Sequence, residues 1–532
     1  STNGGLIVPN QFFIKNSKQQ ASFNAYKFNT KRIVSTIFMI GTSWKNQLFL
    51  DITGRNDWSS ALVYSYGTGN FSYFYPSVSG SWIITETLKD KLPKWVSFAK
   101  VRGSWAQVGN DTSPYYINSG YSVATYQRGD KKIYGMTIPE NMKSTNLKPE
   151  RKNAWEVGLD WRFLDSRIGV DLTYYKENTR NQIMTINVPW ESGVKEKLIN
   201  AGNIQNSGIE IALNTTPIKK KQWQWDLNFT YTRNRNKIVE LSPDVTSYIN
   251  LDGAANYGNY RIASVAKVGS DYGMLMSDSW IKTDEKTGKP VVGYTNKFRT
   301  VYYKRGGTVK EVGSMLPNFL GSLNSTLRWK DLSLYVLFDA RFGGYVASYN
   351  SRYATAYGFS GETEKYRKGM TWTSKYANAQ DKVFTDGFIP DVVFDAGTIV
   401  TTPGGTNQDV SGMTYQEAYE KGYVEPAHLQ SAAYFKNSWG TGVINDDWFK
   451  KINYIALREI TLSYNVPTKI SSYIGAKNLS LSFTGRNLAY LLNTAPNHEN
   501  PESVRGTGAA QFRMRSFMPY TASYLFTLNA TF

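Results

Sequence analysis

The sequence predicts an all-β fold: the wall of a transmembrane antiparallel β-barrel, with long extracellular loops at one end and short periplasmic turns at the other. Three observations predict it. Apolar and polar residues alternate with a period of two through much of the chain, as in strands that face two different environments. Aromatic residues are abundant, with Tyr 37, Phe 26 and Trp 15 making up 15% of the 532 residues. The links between the alternating segments are sorted by length, long on one side and short on the other.

Thirteen segments carry the alternation, at about 31–43, 47–57, 77–85, 96–107, 155–163, 168–177, 206–215, 223–233, 319–328, 332–342, 455–465, 478–487 and 521–532. Within 223–232 the odd positions Trp223, Trp225, Leu227, Phe229 and Tyr231 are apolar and every even position is polar. At the C-terminal end Tyr524, Phe526, Leu528, Ala530 and Phe532 share one face. Thr527, Asn529 and Thr531 occupy the other face, where Leu525 is the one apolar residue.

One apolar face per strand fits either a soluble sandwich or a barrel with lipid outside and a polar lumen. The links decide. Taken backward from the C-terminus they alternate: 488–520 long, 466–477 short, 343–454 very long, 329–331 short, 234–318 long, 216–222 short. The alternation continues through 178–205, 164–167, 108–154, 86–95, 58–76 and 44–46. A sandwich has no reason to sort its loops in this way, whereas outer-membrane barrels combine tight periplasmic turns with long external loops.

Side-chain chemistry agrees. Trp44-Lys45 and Trp329-Lys330 stand at two tight turns, where an aromatic girdle and a cation meet lipid headgroups. The inward positions include Asp51, Arg55, Glu156, Asp160, Arg162, Asp171, Glu210, Asp226, Glu459 and Arg486. Charges at these depths are costly against lipid, so they are expected to line water or contact a plug. A solvated lining with no further role is the alternative for each.

Composition excludes several classes. Cys is absent and His428 and His498 are the only histidines, so thiolate metal sites, disulfides, Cys nucleophiles and His-rich metal sites are out. The mean hydropathy is −0.43, and no run of about 18 apolar residues offers a membrane-spanning helix. The formal charge of +19 admits an anionic membrane surface, acidic ligands or nucleic acid. The cations are dispersed, with Lys219-Lys220-Lys221 the densest run, so nucleic acid is not expected. The first residues lack the charged and apolar regions of a signal peptide.

Seven motifs then follow in order. They are Arg55-Asn56-Asp57-Trp58-Ser59-Ser60, Pro76-Ser77-Val78-Ser79-Gly80-Ser81-Trp82, Arg102-Gly103-Ser104-Trp105-Ala106-Gln107-Val108-Gly109-Asn110 and Asn146-Leu147-Lys148-Pro149-Glu150. Asn206-Ser207-Gly208-Ile209-Glu210, Leu457-Arg458-Glu459-Ile460-Thr461-Leu462-Ser463-Tyr464 and Gly485-Arg486-Asn487-Leu488 complete the set. With these, the chain from about residue 30 onward resembles the C-terminal part of the SusC/RagA-like TonB-dependent outer-membrane transporters of Bacteroidetes. Ala106 replaces a glycine of the family pattern.

The resemblance implies active import of a large nutrient, a glycan or peptide fragment, across the cell's outer membrane. It further implies a SusD-like lipoprotein as extracellular lid and energy supplied through TonB. Family members have a plug and about 22 strands. Residues 31–532 are therefore expected to be the C-terminal portion of the barrel, about 13 of those strands, and residues 1–30 an extracellular loop or cleaved-end segment. The plug, the TonB contact and the remaining strands would come from another segment or chain.

In the long loops, Trp190, Tyr257, Tyr260, Trp280, Trp372 and Trp439 are candidates to stack on sugar rings or peptide side chains. Packing against neighbouring loops is the alternative for each. The acidic pairs Asp284-Glu285 and Asp446-Asp447 offer carboxylate oxygens to Ca²⁺, but neither has EF-hand spacing and a solvated turn accounts for both. No cofactor is otherwise expected. A passive porin made by this chain alone is the competing reading, and the even strand number of bacterial barrels argues against it. No G-x-S-x-G elbow or H-E-x-x-H is present, so an enzyme is not expected.

Overall fold

A computed structural model describes residues 29–532 except 90, 129–130, 138, 189, 243–247, 252–261, 298, 357–358, 360–368, 429–448, 505–511 and 515–518. Thirteen long strands form one sheet in which each pairs antiparallel with the next. They are β1 Ile33–Trp44, β2 Leu48–Ser59, β3 Ser72–Ile83, β4 Val96–Asn110, β5 Glu150–Phe163, β6 Ile168–Asn187 and β7 Glu196–Lys219. The rest are β8 Trp223–Glu240, β9 Phe319–Trp329, β10 Leu332–Ser348, β11 Phe449–Val466, β12 Asn478–Asn493 and β13 Ser523–Thr531. Each corresponds to one of the thirteen alternating segments.

The register separates two faces. One cross-strand row reads Trp225, Leu327, Leu334, Leu462, Phe483 and Phe526. The adjacent row, one residue along each strand, reads Gln224, Arg328, Ser333, Ser463, Ser482 and Thr527. Directly opposed residues point to the same side of a sheet, so one surface is apolar and the other polar. Among the described residues nothing covers the apolar surface: Leu462 is 47% exposed, Phe483 53% and Phe526 71%. A soluble sandwich would bury that row in its core. Here lipid is its solvent.

The tight turns show why the strands end where they do. Lys45 and Asn46 have φ of 51° and 54°, the paired left-handed conformation whose twist matches the flanking strands of a hairpin. The Lys45 ammonium lies 4.8 Å from the Trp44 ring centroid and the Lys330 ammonium 5.3 Å from that of Trp329. Trp223 and Trp329 face each other across β8 and β9 and stack at 5.6 Å. These rings form the expected aromatic belt, with cations beside it.

At the loop end the strands run further than the alternation predicts. β6 and β7 reach 20 and 24 residues. Most of the expected loop 178–205 therefore continues the ladder, and only 188–195 separates the two strands. Above the membrane neither face meets lipid, so the period-two signal fades while the backbone hydrogen bonds persist. Buried Ile186, Ile199, Ile204 and Ile238 pack this upper ladder against Ile249 and Ala266.

The links 241–318 and 349–448, which carry no sustained alternation, contain strands and helices of their own. Strand Val291–Thr295 pairs in parallel with Val393–Phe394 from the other link. Val292, Val301, Phe394, Val400, Val410 and Tyr415 form a buried core between them. The helix Tyr415–Glu420 begins with a reciprocal capping box between Thr414 and Glu417, which satisfies backbone donors that otherwise lack partners.

Among the described residues, neither edge of the wall is paired. β1 contacts only β2 and β13 only β12, and every residue of β1 is exposed.

The two faces predict opposite responses to charge. Leu323 lies six residues above Trp329, on the apolar face near mid-band. Leu323→Arg is expected to cost roughly 2–4 kcal/mol, whereas Thr326→Lys on the polar face should cost less than about 1 kcal/mol. Denaturant unfolding of the assembled barrel in liposomes measures both, and equal costs would contradict this assignment of faces.

Candidate functional site

The candidate site is the polar face together with the loop structure above it. Near the turns, Asp226 accepts hydrogen bonds from Gln224 Nε2 at 2.8 Å, Thr216 Oγ1 at 2.9 Å and Arg328 at 2.5 Å. Glu459 accepts from Arg486 Nε and from Thr461 Oγ1, both at 2.9 Å. Arg102 of β4 reaches over β5 to grip Asp171 of β6 with two bonds of 3.0 and 2.9 Å. It also donates to Thr173 at 2.5 Å and lies 3.7 Å from Glu156. The crossing needs Gly158, because a Cβ there would sit 2.6 Å from the guanidinium carbon.

Arg162 pairs with Asp160 in its own strand at 3.2 Å. Arg55 donates to Asp57 at 2.6 Å, and the Tyr75 hydroxyl donates to the same carboxylate at 2.5 Å. Asp51 and Glu210 lie exposed on this face. The structure thus places all ten sequence-selected charges on the polar face, eight of them in ion pairs. Their partners Arg102 and Arg328 occupy inward positions by the same parity.

A second cluster could not be found by parity. Across β10 and β11, Leu337 pairs with Glu459 and Phe338 with Leu457, which leaves Arg458 as an extra residue in a bulge. The bulge turns Arg458 to the polar side. There it bonds Asp339 at 2.7 Å and Glu502 twice, also at 2.7 Å. The rings of Tyr454 and Tyr490 lie 5.6 and 6.0 Å from its guanidinium, and Tyr490 donates to Glu502 at 2.8 Å. A cavity of about 220 Å³ opens beside this cluster, lined in part by Tyr490, Asn500 and Tyr520. Burial pushes the Glu502 carboxyl up, but Arg458 and Tyr490 more than offset this and hold it below its ordinary value.

Of the loop aromatics, Trp372 stacks on Phe384 at 4.9 Å, and its indole N–H donates to Glu425 at 3.3 Å. The Lys310 ammonium lies 5.7 Å from the Trp280 ring. Trp190 begins a single helical turn, Trp190–Ser192, above β6 and β7. Tyr257, Tyr260 and Trp439 lie outside the described residues, as do Asp446 and Asp447. The Asp284 carboxylate accepts from the backbone N–H and hydroxyl of Thr287, both at 2.8 Å. It is thereby engaged in a local turn. Among the described residues, no three His, Asp or Glu side chains gather as a metal site.

Residues 15–345 match the family described as TonB dependent receptor-like, beta-barrel. The chain belongs to that family. TonB-dependent receptor P26 of Formosa agariphila is 23% identical over 486 residues, covering 89% of this chain and 43% of that protein. TonB-dependent receptor SusC of Bacteroides thetaiotaomicron is 28% identical over 270 residues, covering 49% of this chain and 26% of SusC. The structure of the RagAB peptide transporter overlays 97% of this chain and 50% of its own with a TM-score of 0.65. At 16% identity that likeness shows the fold. The chain spans less than half the length of these curated relatives. As a member of the family, its wall stands in the outer membrane.

Arg458 is expected to tether the segment after β12 to the wall. Arg458→Gln should cost roughly 1–3 kcal/mol and expose residues around Glu502 to faster hydrogen exchange. In the native chain, the lowered Glu502 value means that the charged pair stabilises the tether above about pH 4.5. That stability is lost as pH falls below this and through the folded value. Hydrogen exchange of this segment across that range should show the change, and the Arg458→Gln chain should not.

Proposed function

We propose that this chain, completed into a closed barrel, imports a large nutrient across the outer membrane in a TonB-dependent manner. The nutrient class is a glycan or peptide fragment, and a SusD-like surface lipoprotein covers the extracellular mouth. One observation carries the reading: a wall that is apolar outside and lined inside with paired charges, with both edges unpaired among the described residues. Open backbone edges are not tolerated against lipid. Further strands from another segment or chain therefore pair with β1 and β13.

Their number follows from direction. Thirteen antiparallel strands leave β1 and β13 running the same way, so only an odd number of added strands keeps every pair antiparallel. Nine more would give the 22 of a plugged transporter barrel. A barrel of that size has a lumen too wide for its own side chains to fill, and the charged lining offers a plug its hydrogen-bonding partners. The names of relatives support the cargo class and energy source, since one is a peptide transporter and others are TonB-dependent receptors. The joined loops 241–318 and 349–448 offer a surface for cargo and lid, with Trp280 and Trp372 on it. Tyr257, Tyr260 and Trp439 belong to the same two links, and Trp190 to the separate link 188–195.

Affinity purification through a tag on this chain tests the reading. Intact-mass measurement should find the complementary strands with their plug, together with a lipoprotein. Cells should accumulate a labelled oligosaccharide or peptide pool only when TonB is present. A chain that purifies alone and conducts ions as an open pore would instead be a passive porin.

A further inference from the structure

The outer surface changes character abruptly at the loop end of β5–β8. The outward positions of β8 read Trp225, Leu227, Phe229, Tyr231 and then Arg233, Arg235 and Lys237. The register fixes their side: Arg233 opposes Ile209, which opposes Tyr174, which opposes Val157, all outward. One row higher, Trp155, Lys176, Ser207 and Arg235 are aligned. Arg180 and Arg151 face each other four residues, or two pleats, above that.

Height places these cations at the headgroups. From Trp223 in the turn-side belt to Arg233 is ten residues. At about 3.3 Å per residue and a tilt of about 40°, this rises roughly 25 Å, the height of the apolar band.

Charges are also sorted by face in this sector. The carboxylates Glu156, Asp160, Asp171, Glu177, Glu210 and Asp226 all face inward, where Arg102, Lys152, Arg162 and Arg328 pair with five of them. The outward positions of β5–β8 hold no carboxylate below Glu240. Among the described residues, none of the outward cations Arg151, Lys176, Arg180, Arg233, Arg235 and Lys237 makes an ion pair. Arg233, Arg235 and Lys237 are exposed and line a notch of about 500 Å³ where β8 parts from β9, with Asn318 and a single acid, Asp271. The equivalent outward positions of β2–β4 carry Asn56, Phe74 and Gln107, so the cations form a local patch and not a ring.

We infer that this patch, centred on Arg233, Arg235 and Lys237, binds the phosphate groups of phosphorylated lipid in the outer leaflet. Guanidinium forks match phosphate oxygens in geometry and charge. The apolar rows directly below accept the acyl chains of the same molecule, which a free phosphate cannot use. The inference does not depend on what the barrel imports, only on the wall standing in the outer membrane.

The test uses the assembled barrel extracted in detergent, with native mass spectrometry reading bound lipid. Bisphosphorylated lipid A should bind, and its dephosphorylated form should bind much more weakly. Replacing Arg233, Arg235 and Lys237 together by Gln should weaken binding of the bisphosphorylated form by about a hundredfold at low salt. Arg235→Gln alone should weaken it about fivefold. Removing the same charge at the turn, with Lys219, Lys220 and Lys221 all replaced by Gln, should change nothing. Heat-shifted gel migration reports whether each variant is folded, and the single variant serves if the triple one is not. Equal binding of the two lipids, unchanged binding by Arg235→Gln, or inorganic phosphate binding as tightly as the lipid would overturn the inference.

Discussion

Backbone hydrogen bonding in lipid is the constraint on which the rest depends. With no water at membrane depth, each N–H and C=O must find its partner within the protein. A continuous antiparallel ladder meets that demand for the eleven inner strands, and the same demand makes the free edges of β1 and β13 untenable without additional strands. The ladder also dictates the alternation of side chains, and the alternation in turn sorts chemistry: grease outward, charge inward. Rows such as Trp225–Phe526 and Gln224–Thr527 are consequences of one requirement imposed on the main chain.

Charge is then arranged within that frame. On the inner side most carboxylates have an arginine or lysine within reach, so the lining is polar yet largely neutralised in pairs. Arg102 spans three strands to close one such group, and the bulge at Arg458 breaks the ladder locally to form another. On the outer side, among the described residues, cations stand at the rims of the apolar band: Lys45 and Lys330 beside the turn-side belt, and the group around Arg235 above the band. A protein with a strong positive surplus thereby keeps its lumen balanced and carries part of its excess where anionic headgroups lie.

Much of this was legible because lipid is an unforgiving solvent. The turn-side strand ends were readable to within a few residues, since Trp44-Lys45 and Trp329-Lys330 mark both the hairpin and the interface. The inward charges followed from counting by twos. Legibility failed where that solvent stops. Above the membrane β6 and β7 continue with water or protein on both faces, so 178–187 and 196–205 lose their alternation while keeping their ladder. Arg458 escaped because a bulge shifts parity by one, which no count along the chain reveals. The loop core around Phe394 and Tyr415 escaped because its strands are two to five residues long and the pair that joins its two links spans about a hundred residues.

The parallel pairing of Val291–Thr295 with Val393–Phe394 has an evolutionary consequence. Two links that diverge from different hairpins share a single interior, so neither is a self-sufficient module. A graft of either link alone from a relative would arrive without half the surface it was shaped against, leaving Phe394 and Tyr415 facing water. Diversification at the barrel mouth must therefore proceed by matched changes in both links, inherited as one cassette.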